Sequence, residues 1–194
     1  MFSTDGRWIS YLLSEDPPVA NGSNWVAIVR AEGGNPRRLA PTADEFGYLP
    51  NGSPFIGWSS QGDRIYYLEY SGTRMLIGSL PVDGEPPQEI THGDGVFERV
   101  SLNATRTVLG FRWESTRRAP EAYVSRIDKF GPSQISHLNE GLTDLPTIRT
   151  EVIQWKSVDG LPIEGMLTYP VGYEPGKRYP LIVLAHGGPV RSPP

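Results

Sequence analysis

The apolar positions of this chain fall into short runs in which they alternate with polar residues, and clusters of glycine, proline and polar residues separate the runs. Ile9 and Tyr11 share one face of the first run, and Ile65 and Tyr67 share one face of a later run. Alternation with a period of two over such short stretches predicts half-buried β-strands. The first three-quarters of the chain are therefore predicted to consist of short strands joined by turns.

One unit of this pattern occurs three times, beginning at Ser3, Ser59 and Ser101. Each unit contains a polar turn, a strand, a second turn, a second strand, a third turn and a short strand. The third unit is the least regular, because Ala104 replaces a glycine of the first turn. Blade repeats of about 40–50 residues with four-stranded sheets are typical of β-propellers. A β-sandwich is the alternative, although it would not show a recurring unit.

The length of the first unit and the number of units add two details to the predicted propeller. The first unit carries extra residues, which we assign to an insertion within Thr42–Pro54. Closed propellers have about 4–8 blades, so three blades do not close a ring. We expect residues 1–139 to form a partial propeller of about three blades, with at least one further blade before Met1.

The repeat ends near Asn139, and a different pattern follows. Residues 140–150 are rich in turn-forming residues and are assigned as a linker. Asp159-Gly160 then separates two strand-like runs, which predicts a β-hairpin with Ile163 and Leu167 on one face and Glu164 on the other. The continuous apolar run Leu181–Ala185 predicts a strand buried on both faces, as in a parallel sheet.

The run Leu181–Ala185 leads directly into His186, Gly187, Gly188 and Pro189. Glycines at the end of a parallel strand let the main chain approach a ligand, so that its N–H groups can face developing negative charge. In α/β-hydrolases an HGG-type loop at this point supplies one of two oxyanion-hole donors. The alternative interpretation is a tight turn that contains two glycines.

Two resemblances come from these residues. The repeat resembles the TolB-type propeller unit through Asp5-Gly6 and through Gly33-Gly34-Asn35-Pro36-Arg37-Arg38-Leu39. The chain as a whole resembles the prolyl oligopeptidase family of serine peptidases, on its acylaminoacyl-peptidase and dipeptidyl-peptidase side. The motifs that carry this second resemblance are Trp155, Asp159-Gly160, Ile163-Glu164-Gly165, Tyr169-Pro170, Tyr179-Pro180-Leu181-Ile182-Val183 and His186-Gly187-Gly188-Pro189.

The resemblance implies a fold and a mechanism. Residues 151–194 would begin an α/β-hydrolase domain that covers the propeller, and a peptide substrate would bind between the two domains. The backbone N–H of Gly188, or else that of Gly187, would serve the oxyanion hole, with His186 and Pro189 as structural neighbours. No cofactor or metal is implied, and a homo-oligomeric parent protein is compatible with the family.

The catalytic triad of that family is not found in the 194 residues. The segment Gly57–Gln61 comes nearest to a Gly-x-Ser-x-Gly nucleophile motif, but it lacks the last glycine and falls in a blade turn. His92 and His137 are expected in surface loops, without the neighbours that a metal site needs. We therefore expect this chain alone to be inactive. A non-enzymatic propeller used for binding, and an esterase or lipase, are the other functions considered.

Composition narrows the possible partners. Hydrophobic residues make up 38% of the chain and charged residues 21%, and the net charge is −4 with basic residues scattered along the sequence. Nothing indicates binding to nucleic acid or to a membrane. The chain has no cysteine and no signal-peptide pattern, which favours a cytoplasmic location.

Overall fold

Three antiparallel sheets follow one another along the computed structural model, which describes residues 1–14, 24–42, 54–142 and 148–185. The first sheet contains β1 (Trp8–Ser14), β2 (Asn24–Arg30) and β3 (Arg37–Arg38). The second contains β4 (Phe55–Trp58), β5 (Arg64–Ser71), β6 (Arg74–Pro81) and β7 (Gln88–Glu89). The third contains β8 (Val96–Leu102), β9 (Val108–Ser115), β10 (Arg118–Arg126) and β11 (Ser133–Gln134). In each sheet the spatial order of the strands follows the sequence order, which is the arrangement of a propeller blade.

A shared polar turn explains why the three units adopt the same fold. Ser3, Ser59 and Asn103 each accept a hydrogen bond, through a side-chain oxygen, from the backbone N–H five residues further along the chain, at 2.9, 3.2 and 3.1 Å. These bonds satisfy backbone donors at the point where the chain enters the next strand. The short polar residues of the repeat therefore fix the turn that precedes β1, β5 and β9.

The third turn begins at Asn103, and not at Ser101 as the sequence analysis predicted. Ser101 still pairs with β9, so the turn starts two residues later. The position that is glycine in the other two turns is occupied by Arg106, with φ of 58°. The prediction that Ala104 replaces that glycine was therefore wrong. Strand β8 continues to Leu102, which moves the turn two residues along the chain.

The turns also link neighbouring sheets. The Thr4 hydroxyl in the first turn donates a hydrogen bond to the Ser59 carbonyl oxygen at 2.6 Å. The Arg106 guanidinium in the third turn donates to the Trp58 carbonyl oxygen at 2.7 Å. The adjacent carbonyl groups of Trp58 and Ser59, at the end of β4, thus accept hydrogen bonds from the third turn and the first turn.

The second sheet packs on both of its faces, as a blade between two others does. Leu76 and Ile77 are neighbours on β6 and point to opposite faces, so each belongs to a different core. The core shared with the first sheet consists of Val26, Ile28, Leu39, Trp58, Ile65, Tyr67, Leu76 and Leu80. The core shared with the third sheet consists of Ile77, Phe97, Leu109, Phe111 and Tyr123. Burial of one such aliphatic side chain contributes about 1.5–3 kcal/mol.

Two strands of the sheets were not predicted from the sequence. Strand β4 has only four residues, and the alternation in β8 is interrupted by a bulge between Glu98 and Ser101. The two strands contact each other and form corresponding edges of their sheets. Phe2 holds the equivalent place in the first sheet through a single antiparallel bridge to Ile9. We call β4, β8 and Phe2 the inner edge of the three blades.

The predicted hairpin is present after the third sheet. Strands β12 (Thr150–Lys156) and β13 (Pro162–Thr168) pair antiparallel, and Gly160 in the connecting turn has a φ of 87°. Ile163 and Leu167 lie on the more buried face of β13, as the alternation predicted. The only helical element among the described residues is a 3₁₀ turn at Glu140–Leu142. The partial β-propeller predicted from the sequence is therefore confirmed.

Candidate functional site

The predicted oxyanion loop, comprising His186, Gly187, Gly188 and Pro189, lies outside the described residues, as does most of the predicted insertion within Thr42–Pro54. The segment that leads into the loop is described and differs from the prediction. Leu181–Ala185 is not part of a strand, and Leu181, Ile182, Val183 and Leu184 are 73–89% exposed. A parallel strand needs hydrogen-bonded neighbours, and no described strand lies beside this segment.

The hairpin that leads towards the loop is bound to the second blade by one carboxylate. Glu164 on β13 accepts a hydrogen bond from the backbone N–H of Thr73 at 2.9 Å. Gln154 on β12 donates to the other oxygen of the same carboxylate at 3.1 Å. These bonds, first that of Gln154 and then that of Thr73, favour the charged form and lower the pKa of Glu164. Glu164 therefore connects the hairpin to the tight turn between β5 and β6.

That tight turn has the geometry needed to receive a carboxylate. Ser71 pairs with Arg74, which leaves Gly72 and Thr73 as a two-residue loop. Gly72 has a φ of 60°, as the first residue of a type II′ turn requires. A Cβ at Gly72 would lie 2.4 Å from Oε1 of Glu164, so the carboxylate occupies the space that glycine leaves open. Arg74, which is paired with Glu89 at 2.6 Å, adds a positive charge near Glu164.

The inner edge of the third blade carries a charged group. Arg112 on β9 pairs with Glu98 on β8 and with Glu114 on its own strand, the latter at 3.0 Å. Arg99 follows Glu98 inside the β8 bulge, is exposed, and has a φ of 53°. Strand β8 therefore presents the exposed Arg99 beside a cluster of one arginine and two carboxylates, which carries one net negative charge.

The other residues considered from the sequence have structural surroundings. His92 and His137 lie exposed in loops, and Nδ1 of His137 is 2.9 Å from Oε1 of Glu140. Among the described ranges, no group of three or more His, Cys, Asp or Glu residues could hold a metal ion. Ser59 is buried and is hydrogen-bonded to Asp63 at 2.6 Å, so it is a turn residue and not a nucleophile.

The chain that follows the third sheet is attached to that blade in a similar way. Glu121 on β10 accepts a hydrogen bond from the Asn139 backbone N–H at 2.6 Å and another from the Ser136 hydroxyl. The Ser136 bond, followed by the backbone bonds, lowers the pKa of Glu121. A shallow cavity of about 320 Å³ opens here between Arg117, Arg118 and Glu140. Within the described part of the chain, no helix is long and apolar enough to cross a membrane.

The sequence analysis missed the two features that stand out in this region. It placed Glu164 on the polar face of a strand but gave no partner, because a contact across 91 residues leaves no local pattern. It also missed the positive φ of Arg99, because arginine is not a residue that favours this backbone conformation. The bulge could have been suspected only from the break in alternation at Glu98-Arg99-Val100.

Comparisons with known proteins first define the class of fold. No family model matches the chain. TolB from Acinetobacter baumannii has a TM-score of 0.51 with 13% identity, over 83% of this chain and 38% of its own. The AtxE2 isopeptidase in its apo form has a TM-score of 0.69 with 19% identity, over 93% of this chain and 26% of its own. These similarities are those of a β-propeller, here present in part.

A curated relative then identifies the kind of protein that the sequence resembles. Dipeptidyl-peptidase 5 of Arthroderma benhamiae is 25% identical over 199 residues, which cover 99% of this chain and 26% of the relative. The chain therefore spans about a quarter of the length of the curated relatives that it matches. The resemblance to peptidases of the prolyl oligopeptidase family, drawn above from the residues, is confirmed by this match.

Proposed function

We propose that this chain is part of a serine peptidase that cleaves short peptides through an acyl-enzyme, as an acylaminoacyl-peptidase or dipeptidyl-peptidase does. The observation that carries the proposal is the match to dipeptidyl-peptidase 5, which covers 99% of the chain. The match includes the blades, the hairpin and the segment up to the glycine loop. A propeller used only for binding would not need a hairpin and an HGG loop after its last blade.

The proposal divides the chain into three parts. Residues 1–139 form part of a propeller, residues 140–150 form a linker, and residues 151–194 begin the peptidase domain. The hydrogen bond from Thr73 to Glu164 supports a close approach of the first and third parts, because it joins a blade turn to the hairpin. A peptide substrate would then bind on the side of the blades that faces the hairpin.

In the reaction of the whole protein, this chain would supply one donor of the oxyanion hole. The Gly188 N–H, or else the Gly187 N–H, would donate a hydrogen bond to the oxyanion of the tetrahedral intermediate. His186 and Pro189 would hold the loop and would not transfer protons. The second donor, the nucleophilic serine and its Asp and His partners would come from residues beyond the 194 considered. Loss of one such donor lowers kcat by about 10²–10³.

The test uses the full-length protein that contains this chain, with dipeptidyl and acetyl-aminoacyl nitroanilides as substrates. Gly188→Pro removes the N–H, whereas Gly188→Ala adds a side chain and keeps it. We expect Gly188→Pro to lose about 10²–10³ in kcat with little change in KM, and Gly188→Ala to lose less. Equal losses in both variants, with circular dichroism unchanged, would remove the oxyanion role from Gly188.

Two further outcomes address the class of activity. Hydrolysis of the nitroanilides that a serine-directed inhibitor abolishes would support a peptidase. Hydrolysis of nitrophenyl esters alone would favour an esterase, and peptide binding without hydrolysis would favour a binding module. The 194-residue chain itself is expected to hydrolyse neither substrate, because it contains no nucleophile motif.

A further inference from the structure

Arg99 adopts a backbone conformation that arginine rarely takes. Its φ of 53° lies in the left-handed region, which costs a residue with a side chain about 1–2 kcal/mol. It shares this feature with Arg106 only, among the described non-glycine residues. Arg106 gains a hydrogen bond to the Trp58 carbonyl in return. Arg99 has no comparable compensation within its own blade.

A β-bulge produces this conformation. Glu98 pairs with Arg112 and Ser101 pairs with Gly110, so two residues of β8, Arg99 and Val100, lie opposite one residue of β9. Such a bulge bends the strand and turns a side chain away from the direction that regular alternation would give it. Phe97 and Val100 both pack in the core shared with the second sheet, whereas regular alternation would place Arg99 on the same face as Phe97. Arg99 is instead exposed. The bulge therefore serves to present Arg99.

The position of Arg99 places it at the inner edge of the blades. Strand β8 is the edge strand of the third sheet on the side opposite β11, and it contacts β4 of the second sheet. In a propeller the strands at this edge surround the central channel. An exposed side chain on β8 is thus accessible to a molecule that enters the central channel.

Arg99 also differs from the other strand arginines because, within the described residues, its side chain makes no hydrogen bond, ion pair or ring contact. Even Arg37, which has no carboxylate partner, donates a hydrogen bond to the Val82 carbonyl oxygen. Arg112, Arg74 and Arg126 pair with carboxylates, and Arg38 and Arg118 lie over tryptophan rings. Among residues 1–14, 24–42, 54–142 and 148–185, no hydrogen bond or ion pair involves the Arg99 side chain. Its neighbour Glu98 is already bound to Arg112. A strained backbone that exposes an unpaired guanidinium is a feature found at binding sites.

We propose that Arg99 binds a carboxylate of the peptide substrate inside the propeller. This inference rests on the proposed peptidase function. A guanidinium recognises a carboxylate through two parallel N–H···O bonds, which gives both affinity and orientation. The carboxylate belongs either to an acidic side chain of the peptide or to its C-terminus.

Kinetics of the full-length protein with three matched peptides test the proposal. The first peptide has a glutamine and a C-terminal amide, the second replaces the glutamine with glutamate, and the third keeps the glutamine but has a free C-terminus. The variants are Arg99→Gly, which accepts positive φ without the guanidinium, and Arg99→Lys, which keeps a positive charge. Arg117→Gly is the control, because it removes the same charge from an exposed turn of the same blade.

For the peptide whose carboxylate reaches Arg99, we expect Arg99→Gly to raise KM about tenfold with kcat nearly unchanged, consistent with loss of a charge-assisted pair. Arg99→Lys should restore part of that loss, and Arg117→Gly should have less than about a twofold effect. Whether the glutamate peptide or the free-acid peptide responds identifies the source of the carboxylate. The neutral peptide should respond to none of the variants.

Two results would count against the proposal, and they differ in meaning. If Arg99→Gly changes KM equally for all three peptides, Arg99 supports the blade and does not recognise a carboxylate. If the wild-type protein hydrolyses none of the three peptides or the nitroanilides, the peptidase function itself fails.

Discussion

The Glu164 carboxylate and the Thr73 backbone N–H are joined at 2.9 Å, although 91 residues separate them in sequence. This bond connects the hairpin after the blades with the tight turn of the second blade. It depends on Gly72, since a Cβ there would collide with the same carboxylate oxygen. One side chain thus sets where the hairpin meets the propeller.

Replacement of Glu164 should release the turn of the second blade. We expect Glu164→Ala to leave the Thr73 N–H without its acceptor, so that this amide exchanges with solvent at least several-fold faster in hydrogen-exchange NMR. Glu164→Gln keeps an acceptor oxygen and should have a smaller effect. Glu151→Ala is the control, because Glu151 pairs with Arg149 and Tyr169 on the hairpin itself. Unchanged exchange at Thr73 in Glu164→Ala would show that the contact does not form in solution.

The same contact should depend on pH in a defined direction. Hydrogen bonds from Gln154 and Thr73 lower the pKa of Glu164 in the folded state below its ordinary value of 4.5. Its contribution to stability is therefore complete above pH 4.5 and is lost as the pH falls through the lower, folded pKa. The amide proton shift of Thr73 should follow this titration with a midpoint below 4.5. The Glu164→Gln variant should show no such transition, and a midpoint at or above 4.5 in the native protein would contradict the assignment.

Gly78 on β6 should not tolerate even a methyl group. It pairs with Tyr67, and a Cβ at Gly78 would lie 2.3 Å from the Tyr67 ring carbon Cζ. Tyr67 is buried in the core between the first two blades, so the ring has little room to move. We expect Gly78→Ala to lower the free energy of unfolding by about 1–3 kcal/mol in urea titrations.

Gly110 on β9 provides a matched control for that experiment. It is also a strand glycine without positive φ, and the nearest atom to its Cβ would be the Ser101 hydroxyl at 3.6 Å, an ordinary contact. Gly110→Ala should therefore be neutral or slightly stabilising. If both variants lost the same stability, the Tyr67 contact would not be the cause.

Local chemistry determined which parts of the fold could be predicted from the sequence. The Asp159-Gly160 hairpin was predictable because a glycine with positive φ marks its turn. The blades were predictable because Ser3 and Ser59 begin the same hydrogen-bonded turn. In both cases the residues that decide the structure are adjacent in sequence.

The rest could not be predicted because it depends on distant partners. The third turn was placed two residues early, since only the pairing of Ser101 with Gly110 shows that β8 continues. The strand expected at Leu181–Ala185 assumed neighbours that the described residues do not supply. Within the candidate site, the contact of Glu164 with Thr73 arises from tertiary structure alone, and the bulge at Arg99 is indicated in the sequence only by a break in alternation. The predicted roles of Gly187 and Gly188 stay predictions.

Arg106 allows the cost of a strained turn to be separated from the benefit of a bond between blades. Its φ of 58° is unfavourable for a side chain, while its guanidinium binds the Trp58 carbonyl at 2.7 Å. Arg106→Ala keeps the strain and loses the bond, and should destabilise the protein by about 1–3 kcal/mol. Arg106→Gly loses the same bond but accepts the conformation, so it should be more stable than Arg106→Ala by about 1 kcal/mol. Equal stability of the two variants in urea unfolding would show that residue 106 is not strained.

The exposed apolar segment before the predicted oxyanion loop should make the isolated chain associate. Ile182 and Leu184 are 83% and 89% exposed, and the segment Leu181–Ala185 carries no charge. Short uncharged segments of this composition pair readily with other chains. We expect the 194-residue chain to form oligomers at about 10–100 µM, as measured by light scattering.

Ile182→Lys combined with Leu184→Lys should shift the protein towards monomer, because two charges oppose pairing of the segment. The control combines Val158→Lys with Leu161→Lys at the hairpin turn, which adds the same charge at positions that are also exposed. If both double variants reduced association equally, net charge would be responsible and the segment would not be the site of contact.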